Sequence, residues 1–355
     1  MNRELEITGV KAVEWFQGEL ILLDQRKLPL TEEYVHCRSV NDVFDAIRLM
    51  VVRGAPAIGV CAAYAVVLSA RSNSPADAAF YRLIEADIEH LKTARPTAVN
   101  LNWALDVMHQ RLAILQEKGY QDEALLECAL RIHDEDIKNN LLMSDLACKL
   151  FSQFHEAPFN VMTHCNAGSL ATGGYGTALG AIRSAWQQGL INSVFADETR
   201  PWLQGAKLTA WELMKDGIPV TINVDGAASW VIKNRQVEWV VVGADRIAAN
   251  GDVANKIGTY ALAIQARYHG AKVMVVAPSN TVDMMTTSGD EIKIEMRSLE
   301  ELSQIGGVQV ADPDTKAINP VFDVTPASLI DYIVTEKGVV SEPCAAKMKA
   351  LFLRT

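Results

Sequence analysis

A cysteine, an aspartate and a few basic residues carry the chemistry this sequence offers. Residues 161–180 read VMTHCNAGSLATGGYGTALG. An apolar run ends there at His164, Cys165 and Asn166, and Gly168, Gly173, Gly174, Gly176 and Gly180 follow before an Ala/Leu-rich helical pattern. A strand that delivers a thiol to a glycine-rich turn and a helix N-terminus is a place where an α/β protein holds an anion. A helix N-terminus also favours the thiolate. Cys165 is therefore a reactive thiol in an anion pocket or, like most free cysteines, a small buried hydrophobe.

Asp245 follows the apolar run WVVVGA directly. It serves either as a cap for the next segment or as an acid, which needs burial to keep a proton near neutral pH. Asn255 and Lys256 are expected to open a helix, KIGTYALAIQARY. Lysine is unfavourable at a helix N-terminus unless it answers a negative ligand. Arg53 and Arg95 lie in loops beside Pro56 and Pro96. Each is a surface charge or, with Lys256, part of a phosphate grip. His164 reads as a hydrogen-bonded histidine at a strand end. The run His133, Asp134, Glu135 and Asp136 reads as a solvated helix face. No Asp/Glu/His set has recognisable metal spacing. From Gly174 the glycines run G-x-G-x-x-x-G, a poor match to the dinucleotide fingerprint.

Strands must present these groups. Apolar strands are expected at 159–164, 192–196, 219–224, 238–243 and 272–277, with helical stretches between several of them, as a parallel doubly wound sheet requires. Polar clusters close their carboxyl ends: His164 to Asn166, Asp197 to Pro201 with Gln204 and Gly205, Asp225 with Gly226, Asp245 with Arg246, and Pro278 to Asn280. One or two such clusters are ordinary turn chemistry; five on one sheet edge favour a ligand site.

Before this region, residues 5–30 read as a strand pair turning at Gln17 and Gly18. Asn41 and Asp42 are expected to cap VFDAIRLMVV. A small-residue helix, AIGVCAAYAVVLSA, follows, and two or three amphipathic helices fill roughly 75–152. Pro96 sets a loop at 93–97. The fold class is thus α/β: an N-terminal strand-plus-helical domain, 1–130, before a Rossmann-like catalytic domain with a mainly parallel sheet, 131–355.

The 355 residues are 49% hydrophobic, enough for a sizeable core, and carry a net charge of −10, which argues against nucleic acid or a membrane surface as partner. No apolar run is expected to span a membrane, and the N-terminus lacks a signal-peptide pattern. Cys37, Cys61, Cys128, Cys148, Cys165 and Cys344 form no CxxC pair, which fits free thiols in a reducing cytoplasm.

Taken together, VRGAPAIGV, ARPTAVNLNWALD, THCNAGSLATGGYGTALG, ADETRPWLQGAKLTAWEL, VVGADRIAANGDVANKIGTYALA and NPVFDVTPASLI closely resemble the methylthioribose-1-phosphate isomerase family over nearly the whole chain. That family shares its fold with eIF2B regulatory subunits and ribose-1,5-bisphosphate isomerase, which are the alternative readings. The regulatory subunit needs neither Cys165 nor Asp245. The bisphosphate enzyme needs a second cationic cluster, which the sequence does not display. The resemblance implies conversion of 5-methylthioribose 1-phosphate to 5-methylthioribulose 1-phosphate in methionine salvage, without metal or organic cofactor, by a homodimer. It implies catalytic roles for Cys165 and Asp245 and substrate contacts from Arg53, Gly54, Ala55, Arg95, Gln204, Asn255 and Lys256. One departure stands at VDGAAS, 224–229. Asp225 is retained, but Gly226 and Ala227 are smaller than the family's usual residues, which extends the expected substrates to 5-deoxyribose 1-phosphate.

Overall fold

The computed structural model describes residues 10–95, 98–155, 157–312 and 314–352. Pro96 and Thr97, invoked for the loop beside Arg95, lie outside these, as do residues 5–9 of the expected strand pair. The chain forms two compact units: residues up to Leu141 with Ala167–Gly180, and Leu142–Asn166 with the residues from Ala181 on. The boundary expected at 130/131 falls inside one long helix, Asp122–Phe154.

In the first unit Gln17 and Gly18 turn the chain between the antiparallel strands Val13–Phe16 and Glu19–Leu23. Both have positive φ, 49° and 88°, as a two-residue hairpin turn demands. A third strand, Tyr34–Cys37, completes this sheet. The next helix, Val40–Arg48, starts one turn earlier than the sequence suggested. Ser39 is its N-cap, and Ser39 and Asp42 form a reciprocal capping box. The small-residue helix is Ala55–Ser72, with Ala57 through Ala70 buried. By length and composition it is apolar enough to cross a membrane, contrary to the expectation that no run reaches that length. Its apolar residues face protein on all sides, the pattern of a central core helix. Helices Phe80–Lys92, Val99–Lys118 and Asp122–Phe154 account for the amphipathic region.

The second unit is built on a seven-stranded sheet. Its order is Gly338–Ser341, Tyr332–Thr335, Lys272–Val276, Val237–Val242, Phe159–Thr163, Ile191–Asp197, Val220–Asn223. All neighbours are parallel except the first pair. The five strands expected from apolar runs are all present, and Val161, Met162, Val240, Val241, Val242 and Val275 are essentially buried, as strands covered on both faces require. From Phe159–Thr163 the chain builds outward through Ile191–Asp197 to Val220–Asn223. It then returns to place Val237–Val242 on the other side of Phe159–Thr163. Strand order therefore reverses between these two neighbours, the topological switch point where open α/β sheets bind ligands.

A smaller sheet, not legible in the sequence, joins Val282–Asp283, Arg246–Ala248, Val253–Lys256 and Phe322–Thr325.

Candidate active site

The two residues singled out for chemistry follow the two strands at the switch point, which end at Thr163 and Val242. Met162 pairs with Val240; Cys165 lies three residues beyond the first and Asp245 five beyond the second.

Cys165 is 8% exposed and has φ 62°, the left-handed region that non-glycine residues seldom occupy. Side chains satisfy its backbone on both sides. Its N–H donates to Thr199 Oγ1 at 2.9 Å, and its carbonyl accepts the Thr209 hydroxyl at 2.5 Å. Thr199 itself follows the Ile191–Asp197 strand, and its N–H and that of Arg200 donate to the two carboxylate oxygens of Asp225, each at 2.7 Å. The glycine-rich stretch does not continue Cys165 into a helix. Gly168 bridges to Gly176, and the helix begins at Ala178.

His164 is buried with both ring nitrogens engaged. Nδ1 lies 2.9 Å from Asp197 Oδ2, and Nε2 lies 2.8 Å from the Ile257 carbonyl. A carbonyl only accepts, so Nε2 carries a proton; Nδ1 carries one toward the carboxylate, whose other oxygen accepts Asn223 Nδ2 at 2.7 Å. Burial opposes the cationic ring, but the Asp197 hydrogen bond and charge, with the Ile257 carbonyl and Asp225, outweigh it and raise the His164 pKa. Burial also pushes Asp197 up, against the pull of His164 and Asn223.

The same histidine packs on Gly258, where a Cβ would come within 2.8 Å of the ring, and Gly258 has φ 105°. No other residue fits both demands. This contact corrects the expectation for Asn255 and Lys256. They end the strand Val253–Lys256, paired with Phe322–Thr325, and the helix starts later, at Thr259. Asp323 accepts the N–H groups of Gly258 and Tyr260, so it covers that helix start itself. Asn255 Nδ2 donates to Thr259 Oγ1 at 3.0 Å, and buried Lys256 holds its ammonium 5.0 Å from the Phe322 ring centroid. Asp245 is half-buried and opens the hairpin that leads to them: its N–H donates to the Ala254 carbonyl at 2.9 Å, and Arg246 pairs with Ala254 in register. His164 thus ties the cysteine strand to the peptide just past Lys256, and the hairpin ties Asp245 to the same place.

Gln204 is also buried, and among the described residues its Oε1 has no hydrogen-bond partner, which leaves an acceptor for a bound donor. Gly205 beside it lies so close to Asp197 that a Cβ would sit 1.7 Å from the carbonyl oxygen. This contact fixes the helical segment after Gln204 against the Asp197 strand end.

These features meet what comparison with known proteins returns. The Initiation factor 2 subunit family matches residues 51–342. Methylthioribose-1-phosphate isomerase of Azotobacter vinelandii is 54% identical over 353 residues, covering 99% of this chain and 98% of that protein. The protein of the same name from Pseudomonas aeruginosa is 54% identical over 354 residues, with the same coverage. The chain belongs to the methylthioribose-1-phosphate isomerase family. Among solved structures, 5-methylthioribose 1-phosphate isomerase from Pyrococcus horikoshii OT3 superposes with TM-score 0.89 at 40% identity, covering 98% of this chain and 97% of that one. A protein of A. fulgidus described as translation initiation factor eIF-2B, subunit delta, superposes with TM-score 0.86 at 38% identity, covering 98% and 100%. The isomerase fold thus extends to proteins described as translation factors, while the 54% identical relatives are named isomerases.

The remaining family-matched positions lie in the first unit. Arg53, Gly54, Ala55 and Arg95 are half-buried, and Gly54, with φ 95°, precedes the core helix and packs on Ala171. Reading the 133–136 run as a solvated face holds for Asp134 and Glu135 only. His133 Nε2 donates to the Gly173 carbonyl at 2.7 Å, its Nδ1 accepts the Tyr64 hydroxyl at 2.9 Å, and Asp136 accepts the Gly173 N–H at 2.7 Å. The i, i+3 spacing of His133 and Asp136 on one helix face was the available signal. The threonine pair around Cys165 had none, because nothing in a sequence joins residues 34 and 44 apart.

Proposed function

We propose that Cys165 and Asp245 together carry the aldose–ketose isomerisation of 5-methylthioribose 1-phosphate to 5-methylthioribulose 1-phosphate, the reaction that this family membership assigns to the chain. The observation that carries the pairing is topological: they follow adjacent strands on either side of the switch point. The anomeric oxygen of the substrate bears phosphate, so the ring cannot open as a free aldose does. Asp245 donates a proton to the ring oxygen as the bond from C1 breaks. Hydrogen then moves from C2 to C1. Cys165, as thiolate, takes the C2 proton and returns it at C1, or stabilises the charge-separated state of a hydride shift; the C2 hydroxyl becomes the ketone carbonyl, and its proton restores Asp245. Lys256 supplies a buried cation for the phosphate, Asn255 is oriented by Thr259, and Gln204 offers to a sugar hydroxyl an oxygen that has no partner among the described residues. Arg53, Gly54, Ala55 and Arg95 are assigned as further substrate contacts on their match to the family motifs.

His164, Asp197 and Asp225 are close enough to hold a metal ion. Their donor atoms are already spent on one another, on Ile257 and Asn223, and on the N–H groups of Thr199 and Arg200. Chelator dialysis is therefore expected to leave turnover unchanged; activity restored only by added metal would overturn the cofactor-free reading. Methionine salvage, a cytoplasmic location and a homodimer complete the proposal, supported by family membership and by six unpaired cysteines. Proton NMR of the purified protein with methylthioribose 1-phosphate, 5-deoxyribose 1-phosphate and ribose 1,5-bisphosphate tests the function. Conversion of the first is expected, and of the second if the small Gly226 and Ala227 admit it. Conversion of the bisphosphate alone would contradict the reading.

A further inference from the structure

We infer that Thr209, with Thr199, is a positioning residue for the reaction: the two hydroxyls clamp the peptide units on either side of Cys165 and hold it in its left-handed conformation. The inference rests on the proposed catalytic role of Cys165.

A cysteine at φ 62° is in a sparsely populated conformation that persists only when its surroundings impose it. Here the imposition is visible. Thr199 Oγ1 accepts the Cys165 N–H at 2.9 Å and donates to the Asp197 carbonyl at 3.0 Å. Thr209 Oγ1 donates to the Cys165 carbonyl at 2.5 Å and accepts Asn166 Nδ2 at 3.2 Å. Both threonines are fully buried, so no water replaces either bond cheaply.

Each threonine is braced in turn. Asp225 grips the N–H of Thr199. Thr209 ends a π-helical turn, Gly205–Thr209, an irregularity often found at functional sites. In a regular helix a threonine hydroxyl commonly bonds its own preceding turn; this one is spent on Cys165. Behind it, buried Glu212 accepts the same Asn166 amide at 3.0 Å and faces buried Arg183 at 3.4 Å. The brace thus runs from a buried ion pair through Asn166 and Thr209 to the backbone that carries the thiol. Rotation of that peptide would swing Sγ by more than a catalytic group tolerates, since a misplacement of about 1 Å costs roughly 10²-fold in rate.

The test compares Thr209→Val, Thr209→Ser and Cys165→Ala for kcat, KM and thermal melting. Thr209→Val is expected to lower kcat roughly 10²-fold while KM stays within about threefold, because an interaction that aims the thiol acts on the chemical step. Thr209→Ser, which keeps the hydroxyl, is expected to recover most of the loss. Wild-type kcat in Thr209→Val beside an inactive Cys165→Ala would overturn the clamp and spare the cysteine. Equal loss in Thr209→Val and Thr209→Ser, tracking a lowered melting temperature, would reduce Thr209 to a packing residue and also overturn it. Turnover by Cys165→Ala would remove the reading on which the clamp rests.

Discussion

The two strand ends at the switch point present their reactive residues at different depths. Around Cys165 the fixing groups are side chains: two threonine hydroxyls on its peptides and a histidine next door with both nitrogens engaged. Asp245 is tied through its N–H to the Ala254 carbonyl in the hairpin, and the residue is half-buried where Cys165 is buried. A side-chain frame holds one geometry and fails when one hydroxyl is lost. The backbone bond at Asp245 survives substitution of its side chain. The thiol end is accordingly expected to be sensitive to loss of either threonine hydroxyl, and Asp245→Asn is expected to leave the hairpin bond in place.

The largest effect tests that asymmetry at its source. Cys165→Ala is expected to cost 10³-fold or more in kcat, on the order of what a positioned proton-transfer group contributes, with calorimetric substrate affinity little changed. Near-normal turnover would leave the elaborate frame around a bystander.

Next comes Gly205→Ala. A methyl group 1.7 Å from the Asp197 carbonyl cannot be accommodated without backbone movement. A loss of roughly 3 kcal/mol is expected in urea unfolding, together with loss of activity through the displaced Thr199 and Gln204. Unchanged stability would show that this close approach is not part of the frame.

His164 sharpens the comparison through pH. Its folded pKa is raised above the ordinary 6.5, so its ion pair with Asp197 stabilises fully below about pH 6.5 and loses that contribution as pH rises through the raised value. The stability gap between wild type and His164→Gln should be widest in mild acid and narrow toward alkaline pH. A gap independent of pH would mean the ring is not held as a cation.

The smallest effect is expected at Gly226→Ala. Among the described residues nothing lies within 4 Å of the added methyl group, so stability should change by no more than about 0.5 kcal/mol. If this turn sets the room for the 5-substituent, the ratio of methylthioribose to deoxyribose turnover should rise; an unchanged ratio would detach Gly226 from specificity.

Much of the sheet was legible, for a physical reason. Strands buried on both faces must be continuous apolar runs, and their ends must turn polar, so VVVGAD and VMTHCN announce themselves. Strand order was not legible, since pairing joins Met162 to Val240 without any local signal. Asn255 and Lys256 were misplaced onto a helix because the helical pattern beyond them is strong. The pairing that makes them a strand comes from Phe322–Thr325, far along the chain. The same distance hid the tie from His164 to Asp197 and Ile257 and the threonine clamp. The residue types at the site could be read from sequence; the groups that aim them could not.

The most direct measurement of the central claim uses Asp245→Asn, which keeps the shape of the half-buried side chain and removes its transferable proton. Proton NMR should follow methylthioribose 1-phosphate over a single turnover while calorimetry follows its binding. The account predicts near-wild-type binding and isomerisation slowed by roughly 10²- to 10⁴-fold. Conversion at the wild-type rate by this variant would contradict the assignment of the ring-opening proton to Asp245.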